Sequence, residues 1–345
     1  MITDASASVR RRLKHDLPAS AFSARPLRAL WYVPLWLIAG FGTWLLGSAE
    51  RGMATTVLCC ILVGNAYASM MLLAHEVVHG ALVRSRSLQY SLAWLGMAPF
   101  LISPTLWRVW HNEVHHGRTN EIDRDPDIFA GEALHASSPS TRLILRVVPG
   151  SGGVLSLLFP FVWFCVHGQI VLWFLSTRMP GFERLDRGRA KLEVGLLAIL
   201  WLALASWLGP ARAPVAILVP MAIGNCLLMS YIATNHLLRP LVSTPEPLRS
   251  SMSVRTLPLI DRLHFRFSHH VEHHLFPAMS GAELPRVRRW LLRNAPEAYV
   301  CPSHLRALLW LYRTPRTYRD EVTLVDPRRP WREPVDLDRL ARGLR

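Results

Sequence analysis

An all-α integral membrane protein is the fold class this 345-residue sequence predicts: four transmembrane helices in two hairpins, with a helical cap on one side of the membrane. Three observations carry that expectation. Hydrophobic residues make up 51% of the chain, and its mean hydropathy is positive, +0.21. Apolar segments of about 20 residues, the length that spans a bilayer, recur along it. Eight of its fifteen histidines fall in three short runs beside those segments: His75-Glu-Val-Val-His79, His111-Asn-Glu-Val-His115-His116 and His270-Val-Glu-His273-His274.

In chain order, residues 1–27 form a basic arm in which Arg10, Arg11, Arg12, Lys14 and Arg25 face only Asp4 and Asp16. The positive-inside rule places this arm in the cytoplasm. The first hairpin spans about 27–46 and 54–74, with the short, nearly neutral loop Ser48 to Met53 as its outer turn. Its return span ends next to His75, so the first histidine run emerges at the cytoplasmic face. Leu92 to Ile102 is too short to cross, which leaves the second run on the same side. An even number of crossings must then separate the second run from the third, yet three apolar segments intervene. The segment 154–175 contains Pro160 and His167 and is flanked by Arg142, Arg146, Arg178 and Arg184, so it is expected to be re-entrant or interfacial. The second hairpin, about 190–209 and 213–235, delivers Asn235 and His236 to the depth of His75. Beyond it lies a cytoplasmic cap with helices at the third run and at Pro285 to Arg293, where Val287, Trp290 and Leu291 make an apolar face for the cap's core. The membrane domain is thus expected over 28–316. Four prolines after Arg313 predict an irregular surface tail, residues 317–345.

A net charge of +15 could signal nucleic acid, but the arginines are spread over arm, loops and C-terminal region instead of forming one stripe. Anionic headgroups, or an acidic electron-transfer protein, are the simpler partners. No small-residue cleavage site follows the first apolar stretch, which disfavours a secretory signal. Cys59, Cys60, Cys165, Cys226 and Cys301 are odd in number and lack CxxC spacing, so they read as core residues in a reducing compartment.

Histidines three or four apart share one helical face, close enough to converge on a metal. With His236 there are nine candidate ligands: His75, His79, His111, His115, His116, His236, His270, His273 and His274. That exceeds what one tetrahedral zinc takes, and it divides into four or five around each of two metals. The cap is therefore expected to hold a histidine-rich dimetal site. Imidazole suits iron, copper, zinc and nickel alike, so ligand type does not choose the metal. Glu76, Glu113, Glu272, Asp125 and Asp127 are candidate carboxylate partners for ligand imidazoles. Asn235 is a candidate water-mediated ligand or helix cap. His269, about 100° from His270 on a helix, is expected outside the ligand set. His15, His135, His167, His264 and His304 read as structural.

HEVVH, HNEVHH and HVEHH, in this order and topology, resemble the three histidine boxes of the membrane fatty acid desaturase and hydroxylase superfamily. HHGRTNEIDRDPD after the second box, NHLLRP at the fourth span and HHLFP after the third are similar too, and the resemblance covers roughly residues 28 to 316. It implies that the nine histidines hold a non-heme di-iron centre, with O2 as co-substrate and removal of hydrogens from neighbouring methylenes to give a cis double bond in a fatty acyl chain. Oxygen insertion at the same centre would give an alcohol. Where some acyl-CoA desaturases carry an asparagine four residues before the extra histidine, this chain has Ile232. The HPGG motif of a fused cytochrome b5 does not occur, so a separate ferredoxin, cytochrome b5 or reductase is expected to supply electrons. The implied substrate is a membrane lipid or other acyl chain with a polar head, and Trp107, Trp110, Phe129, Phe159 and Phe161 are candidates to line its tunnel. No nucleic-acid partner is expected.

Three other readings compete. A lipid or carotenoid hydroxylase or ketolase would use the same boxes. HEVVH also matches the HExxH of zinc proteases, with the glutamate as general base, but the later spans offer no aspartate as a further ligand and seven histidines would be left without a role. A non-catalytic lipid-binding or metal-sensing protein is disfavoured because no box lacks a histidine.

Overall fold

The computed structural model of the protein describes residues 5–48, 52–129 and 131–345. The outer turn expected between Ser48 and Met53 lies largely outside them. The chain opens with α1 (Ala5–Asp16) and reaches α2 (Tyr32–Gly47) and α3 (Met53–Val78). At 26 residues α3 is about 39 Å long, enough to cross a hydrocarbon core of about 30 Å. Next come α4 (Arg86–Met97), capped by the Ser85 hydroxyl, and α5 (Pro104–Trp107), capped by Ser103. A π-helical turn, Arg108–His115, joins α5 to the short α6 (His116–Arg118). Two short helices, α7 (Glu132–Ser137) and α8 (Pro139–Val147), precede the apolar α9 (Phe159–Trp173), the long α10 (Arg187–Leu208) and α11 (Val219–His236). The cap adds α12 (Pro247–Ser250), α13 (Pro258–Leu263), α14 (His270–Leu275), α15 (Leu284–Asn294) and α16 (His304–Arg313).

Counted with their flanking turns, five helical segments are long and apolar enough to cross a membrane: Pro26–Gly47, Met53–Val78, Phe159–Thr177, Arg187–Leu208 and Pro214–His236. Four of them coincide with the spans expected from sequence. The second is 72% buried and the fourth 17%, so α3 is the central post and α10 faces outward. Leu192, Ile199, Leu202 and Trp207 on α10, with Leu37 and Phe41 on α2, form an exposed apolar belt that water would not tolerate on this scale. Close packing brings α3 and α11 together through glycine. A Cβ at Gly224 would lie 2.9 Å from Phe100 Cζ, closer than side chains come, and 3.1 Å from the Gly64 carbonyl, where the backbones would have to give. Both helices run toward the same end, so His75 and His236 finish at a common level.

The basic arm and the tail are more ordered than their composition suggests. Val9 and Leu13 of α1 are buried against Leu248, Val271, Leu275 and Val287 of the cap, because α1 carries one apolar face among its arginines. Trp290 of α15 donates its Nε1–H to Asp16 at 2.7 Å. The tail, expected to be irregular, forms an antiparallel sheet β1 (Thr317–Tyr318), β2 (Thr323–Val325) and β3 (Val335–Asp336), registered Tyr318 to Leu324 and Leu324 to Val335. Strands of two or three residues leave no period in sequence. After them α17 (Leu337–Leu344), capped by Asp336, buries Leu337, Leu340 and Leu344 in the main core. The molecule is thus mostly helical, with this small sheet as the departure from an all-α fold. Buried Arg316 ties the tail to the helices by donating to the carbonyls of Leu237, Leu311 and Pro149 at 2.6, 2.7 and 3.2 Å.

Candidate metal centre

The nine histidines meet where α3, the π-turn, α11 and α14 converge. In one group the imidazole nitrogens of His75, His79, His111, His116 and His273 all lie within 4.8 Å of one another. In the second, those of His115, His236 and His274 do so, and His270 Nε2 lies 2.7 Å from His236 Nε2 and 3.1 Å from His274 Nε2. Within the first group, Nε2 atoms are 2.9 Å apart for His75 and His111, 3.2 Å for His111 and His116, and 3.1 Å for His116 and His273. The two groups touch, since His116 stacks on His274 with ring centroids 4.3 Å apart.

Each run does not simply serve one group. The π-turn makes His111 and His116 successive residues of one face, with His116 N–H donating to the His111 carbonyl, and it turns His115 toward the other group. In α14, His270 and His274 are four apart and share the second group, while His273 points to the first. Only His75 and His79, at the end of α3, stay together.

Burial and the surrounding imidazoles lower the pKa of His111, His116, His270, His273 and His274 well below the ordinary value, and burial brings His79 down to about 3. They are therefore neutral, the form that binds metals. His115 differs. Burial would lower it, but Asp125 and Asp127 push it up to about 9. Asp125 Oδ1 stands 3.0 Å and Asp127 Oδ2 3.2 Å from His115 Nδ1. Without metal His115 therefore holds a proton on each nitrogen; the carboxylates retain the one on Nδ1, and a metal in the second group would take the place of the one on Nε2. Asp127 also accepts from Trp110 Nε1 at 2.8 Å and lies 3.1 Å from His167 Nε2. Burial would raise Asp127, but His115 and His167 hold it to about 2. His236 Nδ1 is 3.3 Å from the Ser250 carbonyl, and His274 Nδ1 is 3.4 Å from the Thr119 hydroxyl. Asp125→Asn should therefore weaken metal retention about 10- to 100-fold, the usual cost of losing such a partner. Dialysis against a chelator, followed by metal analysis, checks it.

Other acids near the boxes do different work. Glu76 turns away from the histidines: it accepts from Arg28 at 2.7 Å, from Ser280 Oγ at 3.2 Å and from Gly281 N–H at 3.0 Å. It is thus committed to a structural bridge and does not fit the general base of a zinc protease. Glu113 is exposed, two residues from both His111 and His115 and so on the opposite face. Glu272 is fully buried and accepts from Ser253 Oγ and Tyr299 Oη, each at 2.5 Å, and from Arg288 Nε at 3.0 Å. Burial opposes its charge, but Arg288 and His269 hold its carboxyl far below the usual range. His269 bridges Glu272 and Asp261 at 3.3 and 3.5 Å, outside both histidine groups. Asn235 is fully buried beside His236, with neither amide atom hydrogen-bonded.

An apolar cavity reaches both groups. His75, His111, His115, His236 and His270 form its polar end, and Met71, Leu228, Met229 and Phe164 continue it toward the membrane interior. Of the aromatic residues expected around a tunnel, Trp107, Trp110, Phe129 and Phe159 line it, whereas Phe161 is on the outer face of α9. Trp107 stacks on His111 with centroids 4.6 Å apart and rings 18° from parallel. Trp163 and Phe164 line it as well, although sequence reading did not single them out. The signal for Trp163 was the four-residue step from Phe159 to Trp163 to His167, which puts all three on one face of α9.

Comparison with known proteins agrees with this geometry. Residues 51–305 match the family described as fatty acid desaturase. The chain is 27% identical over 255 residues, 64% of its own length, to a Delta(6)-fatty-acid desaturase of Caenorhabditis elegans. It is 27% identical over 117 residues, 33% of its length, to an sn-1 acyl-lipid omega-3 desaturase (ferredoxin) of a Synechocystis strain. It is 24% identical over 305 residues, 80% of its length, to a Delta(8)-fatty-acid desaturase of Euglena gracilis. These matches cover 56%, 32% and 70% of the relatives themselves, so the chain spans about half or less of the first two.

Proposed function

The chain belongs to the fatty acid desaturase family, and from that premise we propose that it is an O2-dependent membrane acyl desaturase that puts a cis double bond into a lipid chain at a non-heme di-iron centre. The observation that carries this reading is the division of nine histidines, seven buried and His79 and His116 partly so, into groups of five and four at the polar end of an apolar cavity. Two metals fit this donor set. With a metal–nitrogen distance of about 2.1 Å, ligands at right angles have nitrogens about 3.0 Å apart, close to the 2.7–3.2 Å Nε2 separations present. His75, His79, His111, His116 and His273 would hold one iron, and His115, His236, His270 and His274 the other. When bound, the irons would supply O2 activation and removal of hydrogen from an unactivated methylene.

The chain's own residues supply the rest. The cavity walls desolvate an acyl chain and lay its carbons beside His111 and His270. Asp125 and Asp127 fix the His115 tautomer. Atoms and electrons balance when two adjacent methylenes each lose one hydrogen, giving two electrons and two protons. Two further electrons and protons, supplied through a separate donor, complete reduction of O2 to two waters. A ferredoxin, named in one relative, or cytochrome b5 would serve as that donor.

We place the termini, cap and histidines on the cytoplasmic side, with four crossings. The positive charge of the arm supports this orientation. The two ends of α9 support its not crossing: Tyr312 Oη approaches the Ser156 carbonyl at 3.4 Å before the helix, and Gly181 packs on Val114 of the second box after it. Both ends therefore lie against elements on the histidine side.

The test is the fatty-acid profile of a bacterial host expressing the chain, read by derivatisation and mass spectrometry. A new cis-unsaturated chain is the expected product. A new hydroxylated chain would assign the hydroxylase outcome instead, and an unchanged profile with iron-loaded protein and a working donor would count against acyl oxidation.

A further inference from the structure

Tyr231 of α11 is 1% exposed, and its ring lies outside the lining of the histidine cavity. Its hydroxyl meets His264 Nδ1 at 3.0 Å, and His264 Nε2 meets Asn65 Oδ1 at 3.0 Å. An amide oxygen only accepts, so the His264 proton sits on Nε2 and the Nδ1 lone pair faces the phenol. Burial and the neighbouring His304 bring His264 down to about 4, which keeps the imidazole neutral and that lone pair free. Tyr231 therefore donates its O–H to a base. The Thr256 hydroxyl also hydrogen-bonds the phenol oxygen, which has lone pairs to accept it.

Burial accounts for the phenol having a partner, but not for a base with a fixed tautomer beside a path of rings to both metal groups. Phe267 is that path. Its ring centroid is 6.0 Å from Tyr231, 5.1 Å from His75 of the first group and 5.0 Å from His270 of the second. Tyr231 thus stands one ring away from a ligand of each metal. Two indoles are nearer, since Trp107 stacks on His111 and has its centroid 5.1 Å from that of Trp110. An oxidised indole or phenol is strongly acidic, however, and persists where a base takes its proton. Trp107 Nε1 is buried with no hydrogen-bond partner. Trp110 donates to Asp127, but His115 and His167 already occupy that carboxylate. Tyr231 combines a ring path to both groups with a neutral base at its donor.

Resting on the di-iron desaturase reading, we infer that Tyr231 is a redox-active residue, an electron reserve drawn on when oxygen has been activated and no acyl chain lies in the cavity. One electron passes from Tyr231 through Phe267 to the oxidised metal pair, and the phenol proton moves to His264 Nδ1. The products are a neutral tyrosyl radical, an imidazolium and a metal pair reduced by one electron. An electron from the separate donor, with the same proton returning from His264, restores Tyr231. The oxidising equivalent is thereby kept off the ligand imidazoles.

The experiment mixes the reduced, iron-loaded full chain with O2 in detergent without acyl substrate and freezes it rapidly. Electron paramagnetic resonance reads organic radicals, and Mössbauer spectroscopy reads the oxidation of iron. A radical signal that narrows when tyrosine rings are deuterated is expected, coupled to the nitrogen of isotope-labelled histidine. Of the seven tyrosines, Tyr231 is the one whose hydroxyl meets an imidazole among the described residues, so that coupling locates the radical without a substitution. Tyr231→Phe, which keeps the ring, should hold its metal and lose the signal. Oxidation of the ligand histidines, mapped by peptide mass spectrometry after repeated exposure to O2, should rise in that variant. Tyr67→Phe should leave both readings unchanged. A tryptophan signal, or a tyrosyl signal that survives Tyr231→Phe, would overturn the inference. Oxidised iron with no radical would overturn it too and leave the desaturase reading standing, whereas iron that O2 does not oxidise would overturn both.

Discussion

Replacing His273 and His274 together with alanine is expected to abolish new double bonds and strip metal from both groups. The two neighbours serve different groups: His273 stands 3.1 Å from His116, and His274 stands 3.1 Å from His270. Loss of a supporting partner alone costs about 10- to 100-fold in affinity or activity, so removing one ligand from each group should exceed about 100-fold. The variant should remain in the membrane, because α14 is short and the spans do not depend on it. Its lipid profile should match that of a host without the chain, and its metal content should fall with it. Retention of full activity would mean that these histidines are not ligands.

The second large effect is expected at Arg288, far from any acyl chain. Its Nε pairs with Glu272 at 3.0 Å, and its Nη2 donates to the carbonyls of Ser268 and Val254 at 3.0 and 3.2 Å. Glu272 directly precedes His273 and lies two residues after His270, and it is wholly buried. Arg288→Met would leave that carboxylate without its cation, a change that costs about 3–5 kcal/mol when one partner of a buried pair is removed. The third box should then loosen and both metals should be held less tightly. Replacing both partners, Glu272→Leu with Arg288→Met, should recover part of the loss, because no unpaired charge remains. Chemical unfolding in detergent with metal analysis reads both variants. A single variant as stable as the parent, or a double variant worse than the single, would contradict this account of the pair.

The convergence of the nine histidines was legible in the sequence because histidines three and four apart have few other uses, and because counting crossings put His236 level with His75. The division into four and five was expected from their number, but which histidine joins which group was not. That assignment depends on the π-turn at Arg108–His115, which shifts His115 and His116 to opposite groups, and a π-turn has no side-chain signature. Carboxylates near the boxes were legible only as candidates. Asp125 and Asp127 reach His115 because the chain turns back after Thr119, whereas Glu76 and Glu113 occupy helical positions facing elsewhere. Apolar residues all round α9 satisfy a spanning helix and a re-entrant one equally, so composition gave five candidates. The four-crossing proposal therefore rests on charge and on what the helix ends touch.

Everything proposed for the chemistry rests on two metals in one histidine cage. The most direct test is the metal content of the purified full chain, measured by elemental mass spectrometry against quantified protein, with X-ray absorption at the iron edge to read the donors. Two irons per chain, surrounded by nitrogen, is the predicted result. A single zinc per chain, with no iron bound after anaerobic reconstitution, would contradict it.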